Sequence, residues 1–579
     1  MELETDRQED GATNRPLATR LIGLTLLLYI AAAALSAHIG RFADFTAWFL
    51  YAEDRWLLLA QTAILAAALI GLTPGRRAIL LSRRTCLALA LGAIPACYLG
   101  HYWALCGYAV SRDEQLAIFD SVIFGRGLLA QPLAVAWQNH IAALNSLFLL
   151  PASHPIGWVS AYLPINAALR ALVGQLLDPA LANPLLTALG GVALWKCARR
   201  LWPDDAEAAT VALLLYLGSG QVLFAGMSAY AMPAHLTFYL LWLWLFLIDR
   251  RWSDVAALAV GGLAVGLHQP LFHPLFVAPF MALLLSRRNW GRLAFFILGY
   301  AMICAFWFAW PHWIYATIEG GNPTAPPVDT DFWARLRAVL ANQGGQRWTD
   351  MSANLLRCVA WQPLLLLPLF AAGVVRVRRN PIALALVATS ILPVIVMAIL
   401  LPDQGQGFGY RYVHPALGAA ILAAVFGWRH LVERDARWRP LAIRTLIGGA
   451  LLLLPAQYLM TRDYYAAFAR TDARIVASRT DYFIIGNDDA PSSGALVINR
   501  ADLTNRPLRL FADKIDPDLI HLMCDAHGRV GMPTSAFYAP INRYFRGTII
   551  SRSSDRRIAA LGPQLTSAGC RVVVVGGGT

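Results

Sequence analysis

The chain has 579 residues, 58% of them hydrophobic and only 14% charged, whereas a soluble domain carries about 25% charged residues. Its formal charge of +13 would point to nucleic acid on a soluble protein. Here the basic residues fall in short loops between apolar blocks, so membrane topology accounts for them and no nucleic-acid partner is expected.

The apolar blocks run to roughly 18–25 residues, the length a helix needs to cross the hydrocarbon core. Arg15 and Arg20 precede an apolar stretch from Leu21 to Ala37. That is longer than the roughly 7–15 residues of a secretory-signal core, so it reads as an uncleaved signal anchor. Spans are expected near 20–40, 56–73, 85–109, 180–198, 207–224, 231–248, 254–267, 271–285, 293–314, 356–375, 381–401, 414–428 and 440–459. The pair within 254–285 meets at His268-Gln269-Pro270 and can also be one broken hairpin. The expected fold is an all-α polytopic membrane protein of about thirteen transmembrane helices.

Alternate loops carry the basic residues. They hold Arg76, Arg77, Arg83 and Arg84; Lys196, Arg199 and Arg200; Arg250 and Arg251; Arg287, Arg288 and Arg292; Arg376, Arg378 and Arg379; and Arg429, Arg434, Arg437 and Arg439. The intervening short loops hold only Arg41, Arg55 and Arg411. The positive-inside rule makes the first set cytoplasmic and places the N-terminus inside. Residues 110–179 and 315–355 then become large outer loops, and 461–579 a small outer α/β domain. Lys196 and Lys514 are the only lysines, an Arg bias that suits a GC-rich bacterial genome and hence an inner membrane with periplasmic outer loops. The eight cysteines include no CxxC pair, so they give no zinc or redox signal. Cys524 and Cys570, both in the outer domain, are either a disulfide or two buried thiols.

In the first outer loop, Ser111-Arg112-Asp113-Glu114 opens an apolar run. Ser followed three residues later by Glu is a capping-box signature, so a helix is expected to start at Arg112. It is expected to lie along the outer membrane surface on its apolar face. Glu114 is either the reciprocal cap or part of a catalytic acidic pair. Asp113 has no capping duty, and the helix dipole favours its ionised form, so it is a candidate general base. Further along, Tyr162-Leu163-Pro164 leads into a weakly apolar stretch that contains Arg170, read as interfacial or re-entrant. His140 lies near Trp137, and His268 and His273 flank an outer turn. Each histidine can hold an anion or a metal, although a lone histidine is ordinarily structural. In Asp403-Gln404-Gly405-Gln406-Gly407-Phe408-Gly409-Tyr410-Arg411-Tyr412, alternating glycines let the backbone approach a ligand. Arg411 is suited to phosphate, with lipid-headgroup snorkelling as its ordinary alternative.

On these stretches the chain resembles the GT-C superfamily of membrane glycosyltransferases, which includes the protein O-mannosyltransferases and the lipid A aminoarabinose transferases. The matching residues are Arg112-Asp113-Glu114-Gln115, the aromatic-proline element Tyr162-Leu163-Pro164, and Arg411-Tyr412 with Pro415. The resemblance covers roughly residues 85–460 by topology, leaving 1–84 as two additional N-terminal helices. It implies transfer of a sugar from a polyprenyl-phosphate donor to an envelope glycan, lipid or protein at the periplasmic face. Asp113 and Glu114 would be catalytic, and Arg411, Tyr412, His268, His273, His140 and Tyr162 would bind substrate. The resemblance names no definite cofactor, and a divalent metal is possible. Two departures stand out. The acidic pair follows the third span rather than the first, and outer lysines found in some relatives are missing from the core. A transporter or lipid flippase is the alternative. Against it, no Asp or Glu falls near the middle of an expected span, where ion-coupled transporters keep their ionisable residues. A non-catalytic scaffold is a third reading, and it would not require Asp113 and Arg411 to meet.

Overall fold

The computed structural model describes residues 15–576, apart from 40–44, 76, 146–147, 151, 153–154, 320–336, 338–340, 342–346, 378–379, 526 and 547–552. All thirteen expected stretches are helical. Among the described residues six helices are long and apolar enough to cross a membrane: Arg20–Ile39, Arg83–Trp103, Trp290–Ile318, Pro381–Leu400, His414–Arg434 and Trp438–Ala477. Ala206–Leu217 and Gly220–Met227 together make a seventh, bent by 55°. The other expected spans are shorter or more basic helices, including Arg55–Leu69, Ala182–Leu201, Met232–Ile248, Arg251–Val265 and Phe272–Ser286. The stretch expected at 356–375 breaks into Arg347–Ala360 and Leu366–Val374, because Pro363 supplies no amide to continue the helix.

Local sequence sets the helix ends. The Ser82 hydroxyl accepts from the Thr85 amide at 3.1 Å, and Asn380 Oδ1 accepts from the amides of Ile382 and Ala383 at 2.9 and 3.2 Å. These are ordinary N-caps. Small residues set helix separation. Helices Leu366–Val374 and Leu417–Arg434 cross where Gly373 meets Gly427, and a Cβ on either would run into backbone of the other helix. Such contact replaces the hydrophobic driving force that lipid does not supply.

The basic loops gather at one end of the bundle. Arg439 pairs with Glu207 at 2.8 Å, Arg429 with Asp205 at 2.7 Å, and Arg292 with Asp249 and Asp254, each at 2.7 Å. The Ile79 amide donates to Glu207 at 2.9 Å. Met232–Ile248 runs from that end to the other, where the 110–179 segment and the C-terminal region meet. Of the charge pattern, Arg41, Arg76, Arg378 and Arg379 lie outside the described residues, as does most of the 315–355 segment.

The C-terminal region is an α/β unit. Strands β1 (Tyr482–Ile485), β2 (Leu508–Phe511), β3 (Arg529–Pro533) and β4 (Arg571–Val575) form a parallel sheet in the order β2-β1-β3-β4. Cys524 and Cys570 are joined in a disulfide between residues 46 apart, with Cα atoms 4.6 Å apart.

Two expectations change here. The boundary at 460/461 falls inside the continuous helix Leu454–Ala477, so the last helix of the bundle carries directly into the C-terminal unit. The helix Arg112–Gly125 does not lie on lipid by its apolar face. Phe119 and Ile123 share one buried cluster with Trp158, Ile484, Leu510 and Leu519, joining the 110–179 segment to the C-terminal sheet. The Trp158 indole also donates to Ala501 O at 2.8 Å, and Asn499 Nδ2 to Leu144 O at 2.9 Å. The C-terminal unit also packs against the start of the helix that carries Asp113, with Arg112 donating to Val497 O at 2.9 Å and Gln115 to Ala495 O at 2.8 Å.

Candidate functional site

The helix Arg112–Gly125 begins as its sequence requires. Ser111 accepts from the Glu114 amide at 3.2 Å, and Glu114 accepts from the Ser111 amide at 3.2 Å. Glu114 also accepts from the Tyr465 hydroxyl at 3.1 Å. Its carboxylate is 1% exposed. Burial pushes its pKa up to about 7, against the Ser111 and Tyr465 bonds. The capping role that competed with catalysis for this residue thus has its full geometry.

Asp113 turns the other way. Its Oδ2 accepts from Arg411 Nη1 in an ion pair, and its Oδ1 accepts from the Tyr162 hydroxyl at 2.5 Å. Burial raises the proton affinity of Asp113. The charges of Arg411 and His268 and the bonds from Tyr162 and Arg411 outweigh it, so the carboxyl sits below its ordinary value.

Arg411 is placed by the glycine loop. Gly405, Gly407 and Gly409 have φ of +62°, +152° and +59°, conformations that glycine adopts without a Cβ penalty. Gln404 staples the turn, accepting from the Arg411 amide and donating to Gly409 O, both at 2.8 Å. At Gly409 the close approach serves the protein itself, because a Cβ there would collide with Gln221. Arg411 Nη2 donates to the Tyr412 hydroxyl at 3.1 Å. The guanidinium lies 5.0 Å from the Tyr412 ring and 6.0 Å from that of Tyr230.

Tyr162 packs against His268 with ring centroids 4.2 Å apart. Burial lowers the pKa of His268, and Arg411 adds to this against the pull of Asp113. Its Nε2 is buried without a hydrogen-bond partner among the described residues. Asp113, Asp120, Tyr162, Asn166, Tyr230 and His268 line one small pocket. Asp113, Arg411, Tyr412, Tyr162 and His268 are thus brought together.

His140 and His273 are not part of that group. His140 faces Asp516 of the C-terminal unit, 3.7 Å away. His273 sits in an aromatic cluster with Tyr239 and Phe276, its Nε2 2.9 Å from the Tyr300 hydroxyl. His273 stands five residues beyond His268, and the first turn of Phe272–Ser286 carries it into the bundle. Among the described residues no group of three or more His, Cys, Asp or Glu side chains could hold a metal ion.

Sequence reasoning passed over Asp120. It lies seven residues after Asp113, two helical turns on and on the same face. It accepts from the Ser160 amide at 3.1 Å and the Ser160 hydroxyl at 2.5 Å. Ser160 Oγ in turn accepts from the Tyr162 amide at 3.2 Å. Burial pushes the pKa of Asp120 up to about 7, with the Ser160 bonds opposing. The 120/113 spacing was the available signal. The buried pair Asp54–Arg357 was also missed. Arg357 Nε donates to Asp54 at 2.7 Å, and its Nη2 to Gly407 O at 2.8 Å. The N-terminal helices thereby hold the loop that carries Arg411.

No protein-family model and no curated protein matches the chain. Solved structures similar to it include ArnT, the lipid A aminoarabinose transferase of Cupriavidus metallidurans, bound to undecaprenyl phosphate. That match has 16% identity and a TM-score of 0.49, covering 72% of this chain and 85% of that one. Another is the Archaeoglobus fulgidus oligosaccharyltransferase in complex with zinc and sulfate. It has 12% identity and a TM-score of 0.44, covering 84% of this chain and 67% of that one. Both are GT-C glycosyltransferases. At these identities and scores the likeness assigns no activity to this chain, and the functional reading rests on its residues.

Proposed function

We propose that this protein is a membrane glycosyltransferase that moves a sugar from a polyprenyl-phosphate donor to a cell-envelope acceptor at the periplasmic face. In this reading all thirteen helical stretches cross or enter the inner membrane, the basic loops face the cytoplasm, and 110–179 and 461–579 lie outside. The observation that carries it is the pairing of Asp113 with Arg411, 298 residues apart, beside Tyr162 and His268 at the end of the bundle away from the basic loops.

The pair suits glycosyl transfer from a lipid phosphate. Polyprenyl phosphate is a good leaving group, so the protein needs a base for the acceptor hydroxyl and a cation for the departing phosphate. Asp113 is the base and Arg411 the cation. In the structure they neutralise each other. A donor phosphate competes for the guanidinium, with which it can form two parallel hydrogen bonds. As Arg411 turns toward the phosphate, Asp113 loses its strongest opposing charge. Burial, the largest influence on it, then raises its proton affinity. Donor binding thus arms the base. Tyr162 holds the carboxylate in place, and Tyr412 steadies the guanidinium. Glu114 acts as the helix cap. His268 presents its imidazole to the same pocket.

The test is to incubate membranes carrying the protein with a panel of radiolabelled polyprenyl-phosphate sugars and to follow label into envelope fractions. Transfer that requires Asp113 supports the reading. No transfer from any donor, by protein shown to be folded and inserted, overturns it.

A further inference from the structure

Three arginines among the described residues are less than a tenth exposed: Arg170, Arg357 and Arg509. Arg357 pairs with Asp54 at 2.7 Å and Arg509 with Asp472 at 2.5 Å. Arg170, 8% exposed, has no such partner among the described residues, and its Nε is sealed without a hydrogen bond. The carboxylates that act on it through space are Asp178 and Glu114. Both are engaged elsewhere. Asp178 accepts from the Tyr98 hydroxyl at 2.9 Å, from the Tyr102 hydroxyl and from the Ala180 amide at 2.8 Å. Glu114 is held by Ser111 and Tyr465. Holding a guanidinium this enclosed without a hydrogen-bonded counter-ion is costly, so Arg170 is a charge built for something the chain does not itself provide.

Its position indicates what that is. Arg170 lies on the helix Ile165–Gly174, whose first turn lines the pocket of Asp113 through Asn166 and Ala167. Beyond Arg170, Leu172, Leu176 and Leu177 are 67%, 87% and 58% exposed. Apolar side chains presented this way, next to a buried cation, suit a helix seated in the bilayer interface. We propose that Arg170 is an anion-binding residue that takes a phosphate group carried on a lipid, at the outer membrane surface and separate from Arg411. The guanidinium fork fits phosphate with two parallel bonds, and the exposed leucines keep the lipid tail beside it. The site rests on the membrane-surface placement proposed above, but not on sugar transfer.

The experiment uses purified full-length protein and three probes: a polyprenyl monophosphate, phosphatidylglycerol, and inorganic phosphate. Binding is read by native mass spectrometry and thermal unfolding. Wild type should bind at least one phosphate lipid and melt higher with it. Arg170→Gln should weaken that binding by about tenfold or more, and Arg170→Lys by less, since it keeps the charge without the fork. Without ligand, Arg170→Gln should melt no lower than wild type, because an unpaired buried charge has been removed. Arg170-dependent binding of the polyprenyl monophosphate alone supports a site for the carrier lipid. Dependence with phosphatidylglycerol alone supports a headgroup site, and dependence with all three a bare phosphate site. Equal binding by wild type and Arg170→Gln overturns the proposal, as does a ligand-free variant that melts well below wild type. Arg170-dependent binding without sugar transfer would leave this site standing while the transferase reading falls.

Discussion

Asp113 accepts a hydrogen bond from Arg411 across 298 residues of sequence, in an ion pair whose side chains are 13% and 15% exposed. Changing either residue alters the electrostatic surroundings of its partner, and substitutions at Asp113, Arg411 and Glu114 separate the roles. Asp113→Asn keeps size and removes the base, so turnover should fall by about 10²–10⁴-fold. Donor affinity should hold or rise, because Arg411 is no longer held by a carboxylate. Arg411→Lys keeps the charge but loses the planar fork, so donor affinity should fall along with turnover. Glu114→Gln keeps a capping side chain and should be the mildest of the three. Transfer rate and donor binding on folded protein decide among them. A fully active Asp113→Asn enzyme would remove the base assignment.

Asp120 gives a pH signature that can be read without any substrate. Its folded pKa of about 7 lies above the roughly 3.9 of an unfolded aspartate. Its contribution to stability is therefore full below about pH 4 and lost as pH rises through 7. Glu114, also held up to about 7 by burial, adds to the same decline. Unfolding temperature should fall between about pH 4 and 7, and Asp120→Asn should flatten the fall while keeping an acceptor and a donor for Ser160. Asp120→Ala should instead leave the Ser160 amide and hydroxyl short of a partner, at about 1–3 kcal/mol, and loosen Tyr162. An unchanged pH profile in Asp120→Asn would mean the carboxyl does not titrate there.

How much of this was legible beforehand follows the range of each interaction. The helix start at Ser111 was readable because a capping box spans four residues. The helices were readable because lipid demands long apolar runs. Arg411 stood out because it breaks the Arg pattern of the loops. Asp54–Arg357 was invisible: its partners are 303 residues apart, and neither sits in a local motif. The surroundings of Arg112–Gly125 were misjudged for a related reason. An apolar helix face looks the same in sequence whether lipid or a C-terminal sheet covers it. His273 was misplaced because helical phase, not sequence distance from His268, decides which way a side chain points.

The orientation and the disulfide can be tested together. If residues 461–579 lie outside, a C-terminal alkaline-phosphatase fusion should be active and a cytoplasmic fluorescent reporter dark. Cys524 and Cys570 should then resist thiol labelling until reduced. Cys570→Ser should cost the C-terminal sheet about 2–4 kcal/mol, the usual range for a disulfide closing a loop of this length. Its protease sensitivity should rise accordingly. Free thiols at both positions in protein taken from the native membrane would count against an outer location.

Asp54 and Arg357 allow the last separation, between holding the protein together and holding the site. The pair is almost fully enclosed, with side chains 1% and 3% exposed. Trp361 Nε1 donates to the second oxygen of Asp54 at 2.8 Å. Arg357→Met should leave Asp54 buried without its counter-charge and destabilise the protein by about 3–5 kcal/mol. Adding Asp54→Leu should recover most of that loss, since an apolar pair of similar volume is often as stable as a buried ion pair. Activity should not recover with it. In both variants the carbonyl of Gly407 loses the Arg357 Nη2 donor, and the loop that aims Arg411 at Asp113 loses its tie to the N-terminal helices. The double variant should therefore melt near wild type while binding donor more weakly. The measurement is thermal unfolding beside donor affinity for the single and double variants. Full recovery of both in the double variant would reduce the first helices to packing and detach them from the site.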